Sequence, residues 1–219
     1  MANRVAIVAG ATGLVGSAIL QGLIDDPNVA EVHALGRRAP PARSPKLTAH
    51  VVDFARLPDL PPASELYLAL GTTIRDAGSS DAFRALDYDA NLAAAKAALA
   101  AGVKTVGLVS AMGADSRSRV FYSRVKGELE EALAGMPFQG LVVARPSLLE
   151  GSRAELGQRS RRGEDWGAAI GRLFGFLIPA DYKPIAASAV AAALLAAVPS
   201  ATQRLTLRSG EMRRRAAEP

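Results

Sequence analysis

The chain has 219 residues, of which 49% are hydrophobic and 21% charged, so it can bury the core of one α/β domain. It contains no cysteine, which excludes disulfides, thiolate catalysis and cysteine-ligated zinc. Its two histidines, His33 and His50, lie in or beside predicted strands, and we predict no metal site.

The charge pattern and the apolar segments limit the possible partners. The net charge of +5 is spread along the chain without a nucleic-acid-reading motif, so we expect no nucleic-acid partner. No secretory signal is visible, and the longest apolar stretch, 185–198, is shorter than the roughly 20 residues of a membrane span. We therefore expect no membrane association, a cytoplasmic location and a monomer or homodimer.

Strand and helix patterns alternate from the first residues onward. The predicted strands cover 4–9, 31–35, 47–52, 65–70, 103–110, 139–145 and 204–207. The predicted helices cover 14–24, 81–101, 119–134, 165–177 and 188–198. Such alternation produces parallel strands with right-handed crossovers. The predicted fold is α/β, a Rossmann-like doubly wound parallel sheet with helices on both faces.

We predict a single domain over residues 1–210, with two special segments. Residues 147–180 break the alternation after the strand at 139–145, and doubly wound folds bind substrates beyond the carboxyl ends of their strands. This segment is therefore a candidate small C-terminal lobe that covers the substrate. The basic, polar tail 211–219 is predicted to be disordered.

A glycine-rich loop, Gly10-Ala11-Thr12-Gly13-Leu14-Val15-Gly16, follows the first strand and opens a helix. A helix N-terminus offers free N–H groups and the positive end of the helix dipole, and glycine permits close approach of a phosphate. This context is typical of a dinucleotide-binding turn. The alternative is a tight turn without a ligand. The candidate cofactor residues here are Gly10, Thr12, Gly13, Leu14, Val15 and Gly16.

The ends of the second and third strands bear on cofactor choice. A preference for NAD usually needs an acidic residue after the second strand, but this chain has Arg37 and Arg38 there. Two guanidinium groups can grip a 2′-phosphate, so we predict that NADP(H) is preferred and NAD(H) possible. The alternative is a solvated basic turn. Asp53 and Phe54 are candidates for the adenine edge, although Asp53 is also a common turn residue.

Tyr122 and Lys126 lie one helical turn apart on the helix predicted at 119–134. A nearby ammonium favours the phenolate and lowers the pKa of a tyrosine, so Tyr122 can exchange a proton with a carbonyl or alcohol. Ser110 ends the preceding strand and is a candidate for holding the same oxygen. The alternative is a packed tyrosine and a solvated lysine. We interpret Glu128, Glu130 and Glu131 as the solvent face of the same helix.

These motifs together resemble the short-chain dehydrogenase/reductase superfamily, in its atypical or extended branch. The resemblance is closest to proteins related to the Tat-interacting oxidoreductase and covers about residues 3 to 207. It is carried by Leu70-Gly71-Thr72-Thr73, Val109-Ser110-Ala111-Met112-Gly113-Ala114, Tyr122 to Lys126 and Arg145-Pro146-Ser147-Leu148-Leu149.

The resemblance implies a Ser110, Tyr122 and Lys126 triad in an NADP(H)-binding domain that acts on a small-molecule substrate. It further implies that Leu70, Gly71 and Thr72 line the cofactor, that Tyr122 and Lys126 contact it, and that Pro146 and Leu148 flank the nicotinamide. Many members add a helical asparagine to the proton relay, and Asn91 lies on the corresponding helix. Two alternatives remain: a nucleotide-sugar epimerase or dehydratase, and a non-enzymatic NADPH-sensing regulator.

Overall fold

The computed structural model describes residues 4–150 and 180–217. These residues contain nine strands: β1 (Arg4–Ala9), β2 (Val29–Gly36), β3 (Leu47–Val51), β4 (Glu65–Leu68), β5 (Thr105–Val109), β6 (Gly140–Arg145), β7 (Leu149–Glu150), β8 (Ile185–Ala186) and β9 (Arg204–Arg208). Seven form one sheet in the order β3-β2-β1-β4-β5-β6-β9, and all neighbours are parallel. The predicted doubly wound α/β fold is confirmed. Strands β7 and β8 form a separate parallel pair.

The helices cover both faces of this sheet. They are α1 (Leu14–Asp25), α2 (Ile74–Ala77), α3 (Ser80–Arg84), α4 (Ala90–Ala100), α5 (Phe121–Ala134), α6 (Ala187–Ala197) and α7 (Ser209–Ala217). A π-helical turn, Ala85–Asp89, joins α3 to α4 and interrupts the helix predicted at 81–101. The predicted helix at 165–177 and most of the candidate lobe at 147–180 lie outside the described residues. In the described part of the chain, no helix is long and apolar enough to cross a membrane.

Alternate residues of each strand pack on opposite faces, so the sheet divides the core in two. Ala6 and Val8 of β1 face the cluster formed with α1 and α6. Ile7 and Ala9 face the cluster formed with α4 and α5. Four of the five buried residues of α4 are alanines, Ala90, Ala94, Ala95 and Ala98.

The prediction of a disordered tail over 211–219 is wrong for the part that the structure describes. Residues Ser209–Ala217 form α7, and the Met212 side chain is fully buried in the core cluster that contains α6. The buried Ser209 hydroxyl accepts a hydrogen bond from the Ser147 N–H at 2.8 Å. Helix α7 therefore anchors the segment that follows β6.

The strand order reverses between β1 and β4, and this opens a crevice at their carboxyl ends. The turn after β1 and the loop after β4 meet there: a Cβ added to Gly10 would lie only 2.5 Å from the Ala69 carbonyl oxygen. Gly10 also has a φ of +93°, which favours glycine. The fold thus brings the predicted cofactor segments together at one edge of the sheet.

Candidate active site

The glycine turn leads into α1 as the sequence predicted. Gly13 is the N-cap residue and no side chain caps the helix, so the first-turn N–H groups, which begin with Leu14, Val15 and Gly16, point out of the helix end. Thr12 is half-buried within the turn. This end of α1 lies at the crevice and presents the donors and the dipole that an anion needs.

Protein packing requires glycine at two of the three glycine positions of the turn, but not at the third. A Cβ on Gly16 would lie 2.0 Å from the Gly10 carbonyl oxygen, and Gly10 is itself confined by Ala69, so protein packing alone requires both. A Cβ on Gly13 would meet no atom nearer than 3.5 Å, and its φ of −84° suits any residue. Protein packing therefore does not require glycine at position 13.

The residues after β2 and β3 are those that the sequence analysis predicted to contact a 2′-phosphate and an adenine. Arg37 and Arg38 are exposed and form no ion pair with a described residue. Asp53 is also exposed, and its carboxylate accepts a hydrogen bond from the Ala55 N–H at 3.0 Å, which is the turn-forming role. Phe54 is buried against the core. An adenine contact by Asp53 and Phe54 stays a prediction.

Tyr122 and Lys126 lie one turn apart in α5. The half-buried Tyr122 ring packs at 5.5 Å between centroids on Phe83 of α3, and its hydroxyl makes no hydrogen bond to a described residue. Lys126 is not solvated: only 5% of the residue is exposed, and its Nζ lies 2.6 Å from Asp87 Oδ1. The geometry therefore differs from the alternative in which the lysine is exposed to solvent.

The Lys126 ammonium lies beneath the loop after β4. A Cβ added to the exposed Gly71 would be 3.6 Å from Lys126 Nζ and 3.4 Å from Asp87 Oδ1. The Thr72 N–H donates to Asp87 Oδ2 at 2.9 Å, and the buried Asn91 amide donates to the Leu70 carbonyl at 3.2 Å. Burial raises the pKa of Asp87 above its ordinary value, while Lys126 and the Thr72 N–H oppose that rise.

Ser110 is engaged elsewhere. Its buried hydroxyl donates to Glu130 Oε1 at 2.6 Å, two helical turns beyond Tyr122. Glu130 also accepts from Arg145, with Nη2 2.6 Å from Oε2, and from Arg204 at 3.2 Å. The hydroxyl proton of Ser110 is therefore not available to a substrate carbonyl in this arrangement. The interpretation of Glu130 as part of a solvent face is wrong, since it is 1% exposed.

The segment after β6 borders the same edge of the sheet. Pro146 is buried, and its carbonyl accepts from the Met112 N–H at 2.8 Å, which ties this segment to the loop after β5. Leu148 is 74% exposed. Pro146 and Leu148 follow the strand next to β5, as residues near a nicotinamide would, and that role stays a prediction.

The sequence reasoning missed Asp87 and the burial of Glu130. Asp87 stands 39 positions before Lys126, and one sequence carries no signal for a pair at that separation. Glu130 follows Lys126 at the four-residue spacing that marks one face of a helix. That spacing, next to a buried lysine, is the signal that could have identified it as inward-facing.

Solved structures share this fold. A short chain dehydrogenase family protein from Francisella tularensis is 12% identical and covers 97% of this chain and 100% of its own, with a TM-score of 0.69. MoeE5 in complex with UDP-glucose and NAD is 18% identical over 93% of this chain and 75% of its own, with a TM-score of 0.66. This likeness shows that the chain shares the fold of these proteins. Membership of the short-chain dehydrogenase/reductase superfamily and closeness to the Tat-interacting oxidoreductase stay predictions.

The particular family follows from curated relatives, whereas no family model matches the chain. Protein fmp52, mitochondrial, of Emericella nidulans is 39% identical, and the match covers 81% of this chain and 79% of the relative. Protein FMP52, mitochondrial, of Coccidioides immitis is 38% identical, and the match covers 68% of this chain and 67% of the relative. The chain belongs to the FMP52 family.

The names of these relatives correct one prediction. Each is named as a mitochondrial protein, and this contradicts the cytoplasmic location expected from the sequence. The prediction was wrong because it rested on the lack of a secretory signal and of a membrane span. Neither feature reports on a mitochondrial address.

Proposed function

We propose that the chain is an NADP(H)-dependent oxidoreductase that interconverts a small carbonyl compound and its alcohol. The observation that carries the proposal is the position of Lys126. Its ammonium is buried beneath the Gly71–Thr72 backbone, at the crevice between β1 and β4, and one helical turn from Tyr122. An ammonium at this point can serve both a cofactor ribose and a neighbouring phenol.

A nicotinamide dinucleotide fits the glycine turn. The N-terminus of α1 supplies N–H donors and positive potential, and Gly13 leaves room that protein packing does not use. Structural neighbours named as complexes with NAD share the fold that forms this crevice. Exposed Arg37 and Arg38 support the choice of the phosphorylated cofactor, because they can pair with a 2′-phosphate.

The chemistry divides between two side chains. The cofactor, when bound, supplies or accepts the hydride. Tyr122 donates a proton to the carbonyl oxygen in reduction, or accepts one from the alcohol in oxidation. Lys126, one helical turn from Tyr122, binds the ribose and so places the cofactor beside the phenol. Because the Ser110 hydroxyl donates to Glu130, we leave Ser110 out of the reacting set that the resemblance implied.

The test is a thermal-shift titration with NADPH, NADP, NADH and NAD, followed by a carbonyl screen. A cofactor held 100-fold above its dissociation constant stabilises a fold by about 2.7 kcal/mol. We expect the phosphorylated pair to stabilise more, and Tyr122→Phe to lower turnover by about 100-fold or more while cofactor binding persists. Tyr88→Phe removes a hydroxyl from a ring stacked under Arg84 and is the matched control. Failure of all four cofactors to bind would refute the proposal.

A second candidate uses the same site without net oxidation. Neighbours named as MoeE5 in complex with UDP-glucose and NAD and as UDP-N-acetylglucosamine 4-epimerase favour it. Such an enzyme would retain its nicotinamide cofactor and return the hydride to the sugar. Net oxidation or reduction of the cofactor in proportion to product indicates the oxidoreductase; a product without net change of cofactor indicates the epimerase. A regulator that only senses NADPH would bind cofactor and keep partner binding in Tyr122→Phe.

A further inference from the structure

Asp87 is a buried carboxylate that the proposed reaction does not use. It is fully buried and lies in the π-helical turn Ala85–Asp89 between α3 and α4. Turns of this kind are rare in helices and occur often at functional sites. A carboxylate at such a position needs partners, because burial without them is costly.

The two oxygens of Asp87 serve two different segments. Oδ1 lies 2.6 Å from the Lys126 ammonium of α5, and Oδ2 accepts the Thr72 N–H of the loop after β4 at 2.9 Å. The main chain of the same turn is tied to that loop as well, since the Asn91 amide donates to the carbonyls of both Asp87 and Leu70, at 3.0 and 3.2 Å. One carboxylate thus spans the gap between the loop and the lysine.

We propose that Asp87 is a positioning residue that sets the Lys126 ammonium against the Gly71–Thr72 backbone, so that lysine and loop meet the cofactor in one fixed geometry. This inference rests on the proposed function. Its consequence is that cofactor affinity depends on a carboxylate that the cofactor does not touch.

The first measurement follows Lys126 itself, without cofactor. Wild type, Asp87→Asn and Glu65→Gln are treated with limiting acetic anhydride, and labelling of Lys126 is quantified by mass spectrometry relative to exposed Lys96. Without its carboxylate, the ammonium has no counter-charge and turns towards solvent, so Asp87→Asn should label Lys126 about tenfold faster. Glu65 is the matched control, because it is equally buried and ion-paired, with Arg4 at 2.9 Å, but lies at the opposite end of β4.

The second measurement is the NADPH dissociation constant of the same variants. We expect Asp87→Asn to weaken binding about tenfold or more, and Glu65→Gln to change it by less than about twofold. In a Lys126→Met background, Asp87→Asn should add less than about twofold, because it acts through the lysine. A purely structural role would lower the melting temperature of Asp87→Asn and leave the dissociation constant at the wild-type value.

The outcomes separate the two proposals. If the wild type binds none of the four cofactors, the proposed function fails and Lys126 labelling alone decides on Asp87. If Asp87→Asn labels Lys126 at the wild-type rate, or binds NADPH with wild-type affinity where the wild type does bind, the positioning role is refuted. Should Asp87→Asn not fold, Asp87→Glu replaces it. Its longer side chain keeps the counter-charge but shifts the carboxylate, so labelling should stay slow while affinity falls.

Discussion

At the scale of single residues, a substitution at Gly13 distinguishes a dinucleotide-binding turn from an ordinary tight turn. A methyl group there would meet no protein atom closer than 3.5 Å, so protein packing tolerates it. A phosphate bound at the N-terminus of α1 would approach this backbone closely, and a methyl group would hinder that approach. We expect Gly13→Ala to change the free energy of unfolding by less than about 1 kcal/mol and to abolish stabilisation by cofactor. Chemical denaturation with and without NADPH measures both quantities.

Gly16 supplies the comparison. A Cβ added at Gly16 would lie 2.0 Å from the Gly10 carbonyl oxygen. Gly16→Ala should therefore lower the free energy of unfolding by about 3 kcal/mol or prevent folding, whether or not a ligand binds. Wild-type cofactor binding by Gly13→Ala would identify the segment as a plain tight turn.

Ser110 gives the second residue-scale prediction. Its hydroxyl donates to buried Glu130, so Ser110→Ala leaves that carboxylate one donor short and should destabilise the protein by about 1–3 kcal/mol. Turnover should fall by less than about threefold at a temperature where the variant is folded, because the hydroxyl donates its proton to Glu130. Denaturation and steady-state kinetics on one preparation test this.

The resemblance to the dehydrogenase superfamily predicts the opposite. If Ser110 anchors the carbonyl, Ser110→Ala should lower turnover by about 100-fold or more. Glu130→Gln is the companion variant, since it weakens the same contacts without removing the hydroxyl. A large loss of turnover in Ser110→Ala alone would restore the serine to the reacting set.

At the scale of elements, strands and helices were predictable where the signal was local. All seven strands of the sheet were predicted within two residues at each end, because short apolar runs and 3.6-residue periods depend on neighbours in sequence. The π-helical turn has no such signature. The sequence analysis did not predict α7 because Arg213, Arg214 and Arg215 dominate its composition. One buried methionine is too few to show the repeat of apolar residues that indicates a helix.

Met212 decides whether α7 belongs to the folded domain. It is fully buried in the α6-facing core, so Met212→Ala should cost about 2–5 kcal/mol of unfolding free energy. Arg214→Ala, on the exposed side of the same helix, should stay within about 0.5 kcal/mol of wild type. Equal stability of both variants in urea denaturation would instead support the disordered tail expected from sequence.

At the scale of the whole molecule, the sequence indicated which candidate site residues share one edge of the sheet, but not which residues contact them. Tyr122 and Lys126 were chosen as candidates because their spacing is helical and local, and the glycine turn because it follows a strand. The partners of Lys126 and Ser110 come from other elements, and topology alone brings them together. Such contacts are long-range, so no periodicity or motif in one sequence reports them.

The buried ion pair of Asp87 and Lys126 lies at the crevice. We infer that this pair serves function at some cost in stability. Removing one partner of a buried ion pair costs about 3–5 kcal/mol, whereas replacing both partners is often neutral or stabilising. We therefore expect Asp87→Asn and Lys126→Met each to lower the free energy of unfolding by about that amount.

The double variant Asp87→Asn/Lys126→Met should recover to within about 1 kcal/mol of wild type, since the introduced amide oxygen can still accept the Thr72 N–H and no charge stays unpaired. It should also lack turnover, because the phenol has no ammonium beside it. Denaturation of all four proteins completes the cycle. A double variant as unstable as the sum of the two single variants would mean that the pair is not coupled, and that the crevice carries no conflict between stability and function.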